Sequence, residues 1–125
     1  MKLVDTSSWV EYLRGRESEA SDRVEALVLS GEAAWCDITL VELWHGVRGA
    51  KEKRELSEVE NEIDRIPVDA AVWRLASKLA FRCREKGITA PISDIVIAAC
   101  AATHSLELEY CDKHFDDLLP LAKSL

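Results

Sequence analysis

Four carboxylates in this chain sit where a carboxylate is unexpected. Asp94 lies near the start of residues 91–102, an otherwise almost wholly apolar run with Ile95, Val96, Ile97, Ala98 and Ala99. A helix that is apolar all round belongs in a core, so an acid in its first turn sits at the edge of that core. Asp5 follows the apolar pair Leu3-Val4, Glu42 is set among Leu40, Val41, Leu43 and Trp44, and Asp112 follows an alternating run at 106–110. Carboxylates converging on one place repel one another and raise each other's pKa values. A divalent cation removes that cost, and oxygen-only ligands select a hard ion such as Mg²⁺ or Mn²⁺. Such an ion lowers the pKa of bound water and stabilises charge on a phosphoryl oxygen, which is the chemistry of phosphodiester hydrolysis.

Each acid also has a local alternative. Asp5 and Asp94 can accept hydrogen bonds from the amides of their own helix starts. Glu42 is spaced three residues after Thr39, as in a capping box. Asp112 stands near Asp116 and Asp117 and reads equally as a loop acid.

The elements that must position these acids are short strands alternating with helical segments. Leu3-Val4 predicts a buried strand, and Ser7 or Ser8 is placed to cap a helix through Trp9, Val10, Tyr12 and Leu13. A second helix starts after Ser18 and closes at Gly31. Residues 33–36 predict another strand, and Thr39 the cap of the Glu42 helix. The charged stretch 51–66 carries Leu56, Val59, Ile63 and Ile66 on one stripe and predicts a single amphipathic helix ended by Pro67. Helical spacing over 70–86 stops at Gly87. The run 106–110 predicts a strand wet on its Glu107 and Glu109 face, near a sheet edge. Residues 115–119 predict a last short helix before Pro120. Strands and helices in this order, with no tight hairpin signal, imply parallel pairing through helical crossovers and a layered α/β fold.

At 125 residues the chain is expected to be one domain, 1–125. No apolar run reaches the roughly 18 residues of a membrane span, and the start turns polar too soon for a secretory signal. A cytoplasmic protein is expected. The net charge of −7 argues against passive nucleic-acid binding through lysine and arginine, though not against a nuclease whose acids are neutralised by cations. It also suits a basic partner. Cys36, Cys83, Cys100 and Cys111 form no zinc pattern, and the first three read as small core residues in a reducing compartment.

Taken in order, Leu3-Val4-Asp5-Thr6-Ser7 with Trp9, Thr39-Leu40-Val41-Glu42-Leu43 with Gly46, Asp94-Ile95-Val96-Ile97-Ala98-Ala99, and Asp112-Lys113-His114-Phe115 resemble the four signature blocks of PIN domains. Spacing and length are most similar to the VapC-type toxins of toxin–antitoxin modules, across essentially the whole chain. The resemblance implies an α/β/α sandwich with a central, mostly parallel sheet. It implies a Mg²⁺- or Mn²⁺-dependent ribonuclease that blocks translation by cutting structured RNA, commonly a tRNA or ribosomal RNA. Asp5 and Asp94 match the principal metal-binding aspartates, Glu42 and Asp112 the other two acids, and Ser7 a supporting polar position. Asp116 is sometimes drawn into such sites. Tyr110 departs from the pattern, standing where the family usually has Thr or a similar small polar residue. The family also implies a VapB-like antitoxin, whose C-terminal segment wraps the toxin, and a homodimer whose two sites line one groove.

Among supporting residues, His114 is placed to contact RNA or carry a proton, or to serve only a turn. Arg14, Arg16, Arg48, Lys51, Lys53, Arg82, Arg84, Lys86 and Lys113 are available to RNA or simply form a solvated face. The four tryptophans are expected in the core, with base stacking the alternative. Rival readings are a non-catalytic PIN-like partner-binding module, a PIN nuclease acting on DNA, and a phosphorylated receiver domain. The last is disfavoured because the chain lacks an adjacent acidic pair near its first strand.

Overall fold

Leu3 and Val4 are neighbours in sequence, yet each is fully buried in a different core. That is the period-2 alternation of a strand covered on both faces. They belong to β1 (Lys2–Val4), and the computed structural model describes residues 1–125. The chain continues as α1 (Thr6–Leu13), α2 (Glu19–Leu29), β2 (Ala33–Cys36), α3 (Asp37–His45), α4 (Gly49–Glu60), β3 (Asp64–Ile66), α5 (Ala70–Lys86), α6 (Ile92–Thr103), β4 (Glu107–Glu109) and α7 (His114–Lys123). The four strands pair in the order β3-β2-β1-β4, every pair parallel, with Leu3 opposite both Ala34 and Leu108.

The layers follow from that alternation. Leu3, Ala34 and Cys36 face α5, α6 and α7, where Leu79, Ile97, Phe115 and Leu118 fill the larger core. Val4, Ala33 and Trp35 face α1 to α4, where Trp9, Val24, Leu40 and Leu56 fill the smaller one. The result is the expected α/β/α sandwich around a parallel sheet. Fully burying side chains of this size stabilises by about 1.5–3 kcal/mol each. No helix is long and apolar enough to cross a membrane.

Local signals placed several elements well. Ser18 accepts from the amide of Ser21 and caps α2, and α5 spans Ala70–Lys86 and ends on Gly87 at φ 69°. There only glycine is free of a Cβ penalty. Others depart. The 51–66 stretch is not one helix: α4 ends at Glu60 and β3 follows as an edge strand. Ile63 packs into one core and Ile66 into the other, which a single helical stripe cannot do. Asp5, not Ser7 or Ser8, caps α1, and α3 begins at Asp37, ahead of Thr39. The last helix runs through Pro120 because Leu118, Leu121 and Ala122 beyond and before it are buried. Glu109 is not wet: it is 7% exposed and accepts from the Arg23 guanidinium at 2.8 Å. Trp73 is 52% exposed, whereas Trp9 and Trp35 are fully buried.

Candidate active site

From β1 the chain winds outward through β2 to β3, then crosses back to place β4 on the other side of β1. Between β1 and β4 the winding therefore reverses. Ligands of open α/β sheets gather beyond the carboxyl ends of the strands at such a point. Asp5 is the first residue past β1 and Asp112 lies just beyond β4. The Asp5 amide donates to the Glu109 carbonyl at 3.0 Å and ties the two strand ends together.

Asp5 is 2% exposed, and its Oδ1 accepts from the Ser8 amide at 2.8 Å. The capping alternative is thus realised, but it engages one carboxylate oxygen only. Burial pushes the Asp5 pKa up to about 6 against the pull of the Ser8 bonds, and the charges of Asp94 and Asp112 add to the rise.

Asp94 stands in the first turn of α6, whose cap position is Pro91. Its Oδ2 lies 3.0 Å from Nδ1 of His114, and Oδ1 of Asp112 lies 2.7 Å from the same nitrogen. Asp112 Oδ1 also accepts the His114 backbone N–H at 3.0 Å, which fixes the turn into α7. One ligand atom from each of the three residues falls within 4.8 Å of the others. Burial raises the Asp94 pKa, Asp112 and Glu42 push it the same way, and His114 opposes them.

Glu42 is half-buried on α3, and its Oε1 accepts from the Thr6 hydroxyl at 2.7 Å. It makes no capping box. Thr39 is fully buried, with its Oγ1 3.1 Å from that of Thr6. A hydroxyl carries one hydrogen. With the Thr6 hydrogen given to Glu42, Thr39 is the donor between the two threonines. Thr6 is not among the residues the sequence singles out, whereas Ser7, which it does single out, is exposed. The signal that would have found it is its position, one residue after Asp5 and at the start of α1. Asp116 stands apart from the three clustered groups: it is exposed and accepts from the Tyr110 hydroxyl at 2.6 Å.

Glu42 also borders a cleft of about 420 Å³ between α1, α3 and α4, whose walls include Val10, Leu43, Leu56, Arg14 and Lys51. Lys51 is paired with Glu55, whereas Arg14 forms no ion pair. The donors at the strand ends are carboxylate oxygens with one imidazole nitrogen, and burial together with neighbouring acids raises the pKa values of Asp5 and Asp94 above the ordinary carboxylate value. That set fits a divalent ion.

Residues 2–118 match the PIN domain, and the chain belongs to the PIN-domain family. It is 35% identical over 121 residues to ribonuclease VapC11 of Mycobacterium tuberculosis, covering 93% of this chain and 90% of that one. Among solved structures it is similar to FitAcB of Neisseria gonorrhoeae, with a TM-score of 0.73 at 25% identity over 98% of this chain and 94% of that one. A toxin–antitoxin complex from Klebsiella pneumoniae shares the fold, with a TM-score of 0.76 at 22% identity over 94% of this chain and 92% of that one.

Proposed function

We propose that this chain is a metal-dependent endoribonuclease, the toxin of a VapBC-type toxin–antitoxin pair, which hydrolyses RNA phosphodiester bonds and so inhibits translation in the cytoplasm. The observation that carries the reading is the meeting of Asp94 and Asp112, 18 residues apart in sequence, beside the buried Asp5 at the switch point of the sheet. The relatives named as VapC ribonucleases support it.

In this reading Asp5, Asp94, Glu42 and Asp112 hold Mg²⁺ or Mn²⁺, with Ser7 and Asp116 outside the ligand set. When bound, such an ion supplies a water of lowered pKa and positive charge beside the phosphoryl oxygen. The side chains do the rest. Ser8 anchors one oxygen of Asp5 and leaves the other to the site. Thr6 sets the orientation of Glu42, and the His114 amide that of Asp112. Arg14 supplies a cation beside Glu42 for the phosphate backbone of RNA. Attack by water leaves a 5′-phosphate and a 3′-hydroxyl; 2′,3′-cyclic ends would contradict the scheme.

The apolar walls of the cleft, bordered by Glu42, Glu52 and Glu55, suit a basic, amphipathic antitoxin segment, and the net charge of −7 acts in the same direction. Exposed Val41 and Ile92, on the two helices that carry Glu42 and Asp94, offer apolar surface to a second copy of the chain.

The deciding experiment incubates purified protein with total RNA and Mg²⁺, then adds chelator. Cleavage is expected to require the ion and to vanish in Asp94→Ala. Cleavage that survives chelation ends the metal reading. Absence of cleavage with equal Mn²⁺ uptake by both proteins would favour a non-catalytic binding module, and preference for DNA in parallel would favour a DNA nuclease.

A further inference from the structure

A single atom of His114 faces both clustered acids. Its Nδ1 lies 3.0 Å from Asp94 Oδ2 and 2.7 Å from Asp112 Oδ1. We propose that His114 is a nitrogen ligand of the ion held at this site, binding through Nδ1 beside Asp94 and Asp112, and that this nitrogen makes the site prefer Mn²⁺ to Mg²⁺. The inference rests on the nuclease reading of the same site and adds a ligand to it.

The two separations from Nδ1, 3.0 and 2.7 Å, come close to those between neighbouring ligands of one ion. Ligands on adjacent corners of an octahedron with bonds of about 2.1 Å stand about 3 Å apart. The ring is held where it can serve. His114 is the first residue of α7, and Phe115 and Leu118 of that helix are fully buried, so its backbone cannot drift. Its own amide grips Asp112 Oδ1, which joins ligand and neighbour in one turn. The nitrogen that faces the acids is the one with a lone pair when the ring hydrogen resides on Nε2. Without an ion, the same short distances are filled by hydrogen bonding between Nδ1 and the carboxylates.

The chemical consequence is selectivity. Mg²⁺ keeps oxygen ligands and waters, whereas the first-row transition ions, of which Mn²⁺ is the weakest binder, also take nitrogen donors. A site of carboxylates alone has no such bias. Exchanging one oxygen corner for a nitrogen shifts the balance toward Mn²⁺.

The test uses the full, untagged chain loaded with Mn²⁺ or Mg²⁺. Electron spin-echo measurements on the Mn²⁺-loaded protein are expected to show coupling to a ¹⁴N nucleus, lost in both His114→Ala and His114→Asn. By calorimetry, His114→Ala is expected to weaken Mn²⁺ at least about tenfold, within the range seen when metal-site partners are removed, and Mg²⁺ distinctly less. His114→Asn returns an oxygen donor, so it should recover binding while narrowing the Mn²⁺ preference. Mn²⁺ bound without ¹⁴N coupling, at unchanged or higher affinity in His114→Ala, would overturn the inference and mark His114 as a group that moves aside. If the unaltered protein takes up no Mn²⁺ at all, the metal reading itself falls, and the two failures are distinct.

Discussion

The Thr6 hydroxyl reaches Glu42 Oε1 at 2.7 Å across 36 positions of sequence. It joins the first turn of α1, immediately after Asp5, to the middle of α3. A hydrogen bond to a carboxylate is about twice as strong as a neutral one, and it leaves Glu42 with one oxygen committed and one free. Behind Thr6 stands Thr39, whose own hydroxyl is buried. Thr6→Val keeps the side-chain shape and removes the donor. RNA cleavage should fall about 10-fold or more, the scale of losses when a partner orienting a metal ligand is removed, while Thr6→Ser should retain most of it. Equal rates in Thr6→Val and the parent would show that Glu42 needs no such support.

Asp5 gives a pH test in protein stripped of metal. Its folded pKa is about 6 against an ordinary 3.8, so the folded state holds the proton more tightly than the unfolded chain does. The sign follows: stability is highest below the ordinary value and declines as pH rises from about 4 to about 6. The full shift corresponds to roughly 3 kcal/mol. Asn caps helices as well as Asp, so Asp5→Asn should lose the decline while keeping α1. Denaturant unfolding of both proteins between pH 4 and 7, with chelator present, measures it; parallel profiles would contradict the burial account. Added Mn²⁺ should restore stability to the parent only.

Arg23 and Glu109 form an ion pair at 2.8 Å between α2 and the edge strand β4, with Glu109 buried and Arg23 partly exposed. Breaking such a pair from one side strands a buried charge. Arg23→Ala should destabilise by about 2–3 kcal/mol, at the low side of the usual range because the arginine is solvated. The paired change Arg23→Met with Glu109→Leu should recover most of that loss. A double variant no better than the single would show that the charge of Glu109 is not what suffers.

Asp37, at the start of α3, accepts from the Val68 amide at 2.9 Å and is bonded to Arg65 on β3. Burial works against its charge, but the Val68 amide and the Arg65 guanidinium outweigh it and hold its pKa below the ordinary carboxylate range. A lowered folded pKa contributes stability above the unfolded value, lost as pH falls through the folded one. Asp37→Asn should therefore be less stable than the parent at pH 5–7, and the gap should close below about pH 4. A gap that stays constant into acid would assign the loss to packing.

Signals that act within about four residues were legible along the chain. The Ser18 cap, the glycine stop of α5 and the core stripe of Val72, Ala76, Leu79 and Cys83 all depend on neighbours a turn away, so composition and spacing determined them. The alternation of apolar strands with helices likewise determined parallel pairing, and with it the rim on which Asp5 and Asp112 emerge. β3 escaped because three residues at a sheet edge carry no periodicity of their own, and Ile63 and Ile66 happen to continue the spacing of α4. Glu109 escaped because its burial depends on Arg23, 86 positions away. Only the crossover from β3 through α5 and α6 brings His114 against Asp94, 20 positions apart, and only the β1–β2 crossover sets Thr6 on Glu42. The sequence by itself determined which residue types were available, the order of the apolar strands and helices, and the ends marked by local signals such as Ser18 and Gly87. Which side chains share a nitrogen, a hydroxyl or a charge was decided by the tertiary structure, because hydrogen bonds and charge coupling act over a few ångströms of space and are indifferent to distance along the chain.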